Sequence, residues 1–342
     1  MDSDSSHPFP ADPPYESAEA QQPTPSFSFQ RSETPSEHDR YPIPARRNLL
    51  IVASQLAAAF AIFYAAANAT SYWQLALLAL AFGVLGNSIY AVVHEAEHRM
   101  LHPRREVNDL LGAAMALLFP APYHLIRQGH IGHHQRNRSD DEAFDLYFDG
   151  ENVFLRRLQL YGIITGAYWF MVALANVLVL VTPFLFKRKH FEFNRPSAAM
   201  MESLNPDHWG LIRLEALLAI LLHVGIVVAL GIPVLNYLIV YFGFGFSWSA
   251  MQYVHHYGTE RHVLLGSRNL WIFAPLDWVW LHHNWHRTHH RHPTVPWIYL
   301  PCLGSEEDPR REFLLWHYLR MWRGPKRSQE HVKNRYAGRI IQ

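Results

Sequence analysis

The sequence predicts an all-α integral membrane protein with four transmembrane helices in two hairpins, further interfacial or re-entrant helices, and a cytosolic histidine-rich cap. Three observations predict this fold. Hydrophobic residues make up 49% of the 342 residues, and they are concentrated in blocks long enough to cross a bilayer. The arginines beside these blocks lie on one side of the predicted membrane. The chain also contains 23 histidines, with three clusters at or beyond the block ends.

The first hairpin is predicted from two apolar runs, residues 49–67 and 75–93, which are joined by an uncharged turn. A helix rises about 1.5 Å per residue, so each run is about as long as the ~30 Å hydrocarbon core. The turn of the hairpin contains no arginine. Both outer ends are flanked by arginines, which are Arg46, Arg47, Arg99, Arg104 and Arg105. This bias places both outer ends in the cytosol.

The second hairpin is predicted from residues 216–232 and 234–254, which Pro233 separates. Arg213 precedes this hairpin and Arg261 follows it. Its outer ends are therefore also expected in the cytosol.

The apolar run at residues 160–186 does not fit as a single additional span. One crossing there would invert the second hairpin and place the basic residues 187–189 outside. We expect a re-entrant or interfacial arrangement for this run and for the shorter run at residues 110–123. An amphipathic helix is predicted around residues 311–322.

Three regions follow from this pattern. Residues 1–45 are rich in Ser, Pro, Glu and Asp, which predicts a disordered N-terminal tail, because such a segment buries too little apolar surface to offset its ordering entropy. Residues 46–305 form the membrane domain. Residues 306–342 are charged and are expected to form a cytosolic C-terminal tail.

Composition excludes several classes of function. The formal net charge is +1, so nothing indicates a nucleic-acid partner. Cys302 is the single cysteine, which excludes an intramolecular disulfide and any cysteine-based zinc or iron–sulfur cluster. A metal bound by this chain must therefore use nitrogen and oxygen ligands.

The histidine clusters have the spacing of metal ligands. They are His94-Glu-Ala-Glu-His98, His130-Ile-Gly-His133-His134 and His286-Arg-Thr-His289-His290. Side chains at i, i+3 and i+4 lie on one face of a helix. At the observed histidine frequency, H-x-x-H-H is expected about 0.1 times by chance and H-x-x-x-H about 1.5 times. Two copies of the first pattern are therefore strong evidence, whereas the His94–His98 pair alone is weak evidence, and its alternative is a pair of interfacial histidines.

Neutral imidazoles suit iron, zinc or copper, and eight of them exceed what one ion can use. The clusters therefore predict two metal ions. The remaining histidines are expected to be hydrogen-bonded or solvated, among them His102, His124, His223, His262, His282, His283 and His292.

The three clusters, and the sequence around them, resemble the membrane fatty acid desaturase family. That family has the pattern H-x(3,4)-H, H-x-x-H-H and, after the last membrane hairpin, H-x-x-H-H. Residues 94–112 and 284–301 also resemble the sequence that surrounds these boxes in the family, and the similarity covers roughly residues 48–305. The resemblance implies an O2-dependent non-haem di-iron enzyme with two Fe2+ ions, which introduces a double bond into a lipid acyl chain.

The resemblance implies a ninth metal-binding histidine near the end of the last span. His256 in the run His-Tyr-Gly is our prediction, with its neighbour His255 as the alternative. The implied ligands are His94, His98, His130, His133, His134, His256, His286, His289 and His290. Asp140 and Asp141 follow the second box and could orient imidazole N–H groups, although solvated loop carboxylates are the more ordinary interpretation. Trp248 and Tyr253 could line an acyl tunnel, but packing roles are commoner for aromatic residues in spans.

The reaction implied by the resemblance requires electrons, and the sequence has neither a His-Pro-Gly-Gly haem signature nor a nucleotide-binding glycine pattern. A separate donor of the ferredoxin or cytochrome b5 type is expected, docked on a basic surface around Arg104, Arg105 and Arg127. Two alternatives stay open. A lipid or terpenoid hydroxylase or ketolase could use the same scaffold, and more remotely the chain could be a histidine-rich metal transporter or a zinc-binding membrane receptor. Transporters usually place their ligands near the bilayer midplane, which disfavours the second alternative.

Overall fold

The computed structural model describes residues 40–334, so most of the predicted N-terminal tail, residues 1–39, and the end of the predicted C-terminal tail, residues 335–342, lie outside the described residues. The described part is mainly helical, as predicted. Its helices are α1 (Ala45–Ala67), α2 (Tyr72–Glu97), α3 (Arg105–Ala116), α4 (Tyr123–Arg136), α5 (Val153–Ile164), α6 (Ala167–Val181), α7 (Arg195–Glu202), α8 (Trp209–Leu230), α9 (Val234–Met251), α10 (Ala274–Val279), α11 (His286–Arg291), α12 (Leu300–Glu307) and α13 (Leu314–Met321).

Strands are limited, within these residues, to two short parallel pairs. β1 (Leu146–Tyr147) pairs with β4 (Lys326–Arg327), and β2 (Leu270–Trp271) pairs with β3 (Glu312–Phe313). Both pairs attach the C-terminal segment to the region that carries the histidines.

The two predicted membrane hairpins are present. Helices α1, α2 and α9, together with a segment Pro206–Leu230 that contains α8, are each long and apolar enough to cross a bilayer. The turn of the first hairpin is fixed by a capping box, in which Ser71 accepts from the Gln74 backbone N–H and the Gln74 side chain accepts in return. The turn of the second hairpin uses Gly231, which ends α8 in the left-handed conformation that glycine adopts without strain.

Helices α2 and α9 are packed closely, and glycines at their contact make this possible. A Cβ atom at Gly243 would lie 2.1 Å from the backbone oxygen of Ala79, so no larger residue fits there without moving a helix. Polar span residues also pair with one another: Asn87 donates to Ser247 at 2.8 Å and Gln55 donates to Ser88 at 2.8 Å. These contacts satisfy groups that would be costly to leave unpaired in hydrocarbon.

The run at residues 160–186 is not one straight span. Helices α5 and α6 meet at an angle of 94°, and Gly166 between them has φ +87°, a conformation that favours glycine. A bent pair of this kind is either a broken span or a re-entrant loop, so the re-entrant or interfacial arrangement stays a prediction. The shorter run at residues 110–123 contains the end of the 12-residue helix α3, which is too short to cross. The predicted amphipathic helix corresponds to α13.

Candidate metal centre

Each histidine cluster lies at a helix end or on a short helix of the cap. His94 is in the last turn of α2 and His98 is its C-cap residue, so the first box follows directly from a span. The second box lies on the last two turns of α4. The third box forms most of the six-residue helix α11. A span and two cap helices from distant parts of the chain therefore contribute the imidazoles.

The structure brings all nine predicted histidines together in two groups. The first group consists of His94, His98, His130, His134 and His289, and the second of His133, His256, His286 and His290. In each group, one ring nitrogen from every member lies within 4.8 Å of the others. The groups adjoin, because the rings of His134 and His290 are stacked with centroids 4.2 Å apart.

The two H-x-x-H-H boxes divide their histidines between the groups in a reciprocal way. The second box gives His130 and His134 to the first group and its middle histidine, His133, to the second. The third box gives His286 and His290 to the second group and its middle histidine, His289, to the first. Each box therefore bridges both groups.

The distances within the groups suit metal coordination. The Nε2 atoms of His98 and His130 are 2.8 Å apart, and those of His134 and His289 are 3.1 Å apart. In the second group, His286 Nε2 lies 3.0 Å from His256 Nε2. Two nitrogens that bind one ion at about 2.1 Å and at right angles are separated by about 3.0 Å. These nitrogen pairs therefore have the separation expected for ligands of one ion, and each group could hold a metal ion.

Of the two neighbouring histidines after the last span, His256 joins the second group. Its Nδ1 lies 3.0 Å from the carbonyl oxygen of Gly266, an arrangement that fixes the tautomer and leaves Nε2 free to bind a metal. His255 is buried with its ring 4.6 Å from that of His286, and it belongs to neither group.

Burial disfavours the charged form of most of the site imidazoles. It lowers their pKa well below the usual range, because a cation is poorly solvated in the protein interior. Neighbouring imidazoles lower the pKa further, because like charges repel. This holds for His98, His130, His134, His256, His286, His289 and His290. A neutral imidazole is the form that binds a metal.

Two glutamates that were not predicted from the sequence lie near the histidines. One is beside the first group and the other is beside the second. Glu97 lies 3.9 Å from His130 Nδ1, and Glu142 lies 3.5 Å from His133 Nδ1. Burial would raise the pKa of Glu142, but His133 and Arg136 hold this pKa below its usual range. A carboxylate that accepts from a metal-binding imidazole orients it. Glu142 is the nearer of the two, and neither oxygen of Glu97 has a hydrogen-bond partner among the described residues. The sequence signal was weak, since Glu97 lies inside the first box and Glu142 directly follows Asp141.

Neither carboxylate of the Asp140–Asp141 pair has a hydrogen bond to a site histidine among the contacts of the described residues. Asp140 pairs with Arg261 at 2.5 Å and accepts a 2.8 Å hydrogen bond from the Val332 backbone N–H. Asp141 lies 3.7 Å from Arg195. These aspartates therefore bind arginines and the C-terminal segment.

One expectation about the surroundings of the site was wrong. Arg127 is buried, and its Nε donates to the backbone oxygen of Glu97 at 3.1 Å, so it joins the first two boxes and cannot lie on a docking surface. The hydroxyl of Tyr253 donates to Asp145 at 2.6 Å, so this residue takes part in a buried polar network. Trp248 packs against the rings of Tyr90 and Phe119.

Comparison with known proteins identifies the family of the chain. The pattern of the fatty acid desaturase family matches residues 71–325. The chain is also 24% identical over 240 residues to a sphingolipid delta(4)-desaturase/C4-monooxygenase of Rattus norvegicus, a match that covers 68% of this chain and 66% of the relative.

The fold and the site define an all-α integral membrane protein whose cap gathers two histidine groups suited to metals. The chain belongs to the fatty acid desaturase family, because that family's pattern matches well over half of its length.

Proposed function

We propose that this protein is an O2-dependent non-haem di-iron oxidoreductase that introduces a double bond into the acyl chain of a lipid. The observation that carries the proposal is the pair of adjoining histidine groups, with five and four members. An all-imidazole ligand set suits Fe2+, and two ions fit two groups. The family supports an oxidoreductase that acts on lipids.

The nine histidines are the residues that would hold the irons. Glu97 lies behind His130, and Glu142 lies behind His133. What a bound iron pair would supply is the activation of O2 for breaking an unactivated C–H bond, which side chains alone cannot do. The remaining work belongs to the protein. It fixes the imidazoles and holds them in a largely buried site that limits the access of water.

The lipid would reach the site from the bilayer, since His94 lies in the last turn of a span. The Tyr90 ring lies 6.5 Å from that of His94, and Tyr90 packs edge-on against Trp248. These aromatic rings form the membrane side of the site, and we propose that they contact the acyl chain. The arginine bias around both hairpins supports a cytosolic position for the site.

Electrons would come from a separate protein, of the ferredoxin or cytochrome b5 type, because the sequence carries no cysteine cluster or haem signature. Arg104 and Arg105 are exposed after the first box and are the part of the expected basic surface that remains available for docking.

Hydroxylation is the second candidate, and one observation favours it specifically. The rat relative is named both a desaturase and a C4-monooxygenase, so one scaffold of this kind is associated with both outcomes. Ketolation of a lipid or terpenoid belongs to the same class. A metal transporter is disfavoured because the histidine groups lie at span ends and in the cap, not at the midplane.

The proposal is tested by anaerobic purification, iron quantification and mass spectrometry of lipids from expressing cells. We expect about two irons per chain and a lipid that has lost two hydrogen atoms. A gain of one oxygen atom would instead indicate the hydroxylase. Protein that binds no iron, with unchanged lipids, would contradict both.

Replacing Glu142 by glutamine should weaken iron binding by about 10- to 100-fold, because the amide no longer supplies a charged acceptor to His133. Titration of iron into metal-free protein under anaerobic conditions measures this. Glu106→Gln, which changes an exposed residue of α3, is the matched control. Equal affinity in both variants would show that Glu142 does not position the ligand.

A further inference from the structure

The helix α13 presents apolar side chains to the outside. Leu315, Trp316, Leu319 and Trp322 are 48%, 61%, 48% and 47% exposed. Leu315, Leu319 and Trp322 are at positions i, i+4 and i+7, which lie on one helix face. His317 lies on the opposite face and is buried. A short helix with three exposed leucine or tryptophan side chains per two turns is unusual on a surface that faces water.

A second exposed aromatic group adjoins this helix. Trp271, Phe273 and Trp278 are 45%, 69% and 51% exposed. The two groups are continuous, because β2 pairs with β3 and the rings of Trp271 and Phe313 lie 4.6 Å apart. The resulting surface, which we call the aromatic rim, consists of Trp271, Phe273, Trp278, Leu315, Trp316, Leu319 and Trp322.

The aromatic rim lies at the level of the membrane spans. The Trp280 ring N–H donates to the backbone oxygen of Val84 at 3.0 Å, and the Ser88 hydroxyl bonds the backbone oxygen of Val279. Val84 and Ser88 belong to α2, which has 26 residues and is therefore about 39 Å long, against a ~30 Å core. Asn87, next to Ser88, donates to Ser247 near the end of α9, so the segment with Trp278 lies at the level where the last span ends.

Helix α13 is attached at a similar position on the last span. The Tyr318 hydroxyl donates to the backbone oxygen of Ile164 at 3.2 Å, and the Ser249 hydroxyl donates to that of Ile163 at 2.8 Å. Ser249 lies in the last turn of α9. Through the end of α5, α13 is therefore held beside the end of a span, where the membrane surface is expected.

The charge beside the aromatic rim suits a lipid surface. Arg323, Lys326 and Arg327 are exposed directly after α13. Tryptophan beside basic residues is typical of helices that lie in the headgroup region, where the rings enter the apolar boundary and the cations meet phosphates.

We infer that the aromatic rim is immersed in the interface of the same bilayer that the spans cross. The C-terminal segment is then a lipid-bound anchor, which holds the cap against the membrane through α13 and the segment around Phe273. Its occupant is lipid, because the rim is tied to α2 directly and to α9 through α5, at the level where α9 ends, and because cations border it. This inference does not depend on the reaction that the protein catalyses.

The single cysteine makes a direct test possible. In a Cys302→Ser background, Phe273→Cys and Leu319→Cys each accept one nitroxide label. The full chain is placed in vesicles of phosphatidylcholine and phosphatidylserine, and collision of the label with O2 and with a water-soluble nickel chelate is measured. Leu221→Cys, exposed on a span, is the membrane control, and Glu306→Cys, exposed on α12, is the water control.

Labels at positions 273 and 319 should resemble the span control, with an oxygen-to-nickel collision ratio at least about threefold above that of the water control. Nickel access equal to that at position 306 would overturn the inference. Protection from both reagents would also overturn it, because protein and not lipid would then cover the rim. The two positions belong to separate segments, so a misfolded variant at one leaves the other informative.

Discussion

Replacing His133 or His289 by alanine should abolish turnover while the protein still inserts into the membrane. Both are middle histidines of an H-x-x-H-H box, and each joins the group to which the other two histidines of its box do not belong. His133→Ala should therefore weaken the second metal position, and His289→Ala the first. Losing a partner that only orients a ligand already costs about 10- to 100-fold in affinity or activity, so losing the ligand itself should cost more.

Iron quantification and lipid analysis on the purified variants measure this effect. We expect the iron content to fall from about two per chain to about one in each single variant, and product to fall below detection in both. His190→Ala is the control, because His190 is exposed and distant in sequence from the three boxes. Variants that retain both full activity and two irons would show that these imidazoles are not ligands.

The sequence was sufficient to predict the membrane hairpins and the histidine clusters because both depend on local patterns. Apolar length and arginine placement identify spans directly, and the spacing of the boxes is a helical spacing. The run at residues 160–186 is apolar enough to cross, but one crossing would place the basic residues 187–189 outside. This conflict indicated that the run is not a simple span, and the structure has a bend there at Gly166. His256 was separated from His255 only by the resemblance.

What the sequence could not provide depends on long-range contacts. Nothing local to the H-x-x-H-H pattern states that its middle histidine belongs to a different group from its outer ones, since this requires the second and third boxes to face each other. The buried position of Arg127 depends in the same way on the carbonyl of Glu97. The two glutamates behind the imidazoles are recognisable only once Glu97 and His130 are seen together.

Replacing Asp145 by asparagine should lower the free energy of unfolding by about 3–5 kcal/mol, because the buried charge of Arg138 then has no counter-charge. Arg138 and Asp145 are 2.5 Å apart, and both side chains are almost fully buried. Arg138 Nη2 also donates to the backbone oxygen of Thr259 at 3.0 Å. The pair thereby connects the chain after the second box with the segment that follows His256, so iron retention should fall with stability.

A double-mutant cycle separates this interaction from general damage to the cap. Thermal or denaturant unfolding of the detergent-solubilised protein is measured for Arg138→Leu, Asp145→Leu and the double variant. Removing both charges should cost less than the sum of the two single changes, since the double variant leaves no unpaired charge in the interior. Arg327→Ala breaks the exposed pair with Asp149 and should have little effect. If the losses in the free energy of unfolding of the two single variants add up to that of the double variant, Arg138 and Asp145 stabilise the protein independently. The pair would then not be what connects the second box with the segment after His256.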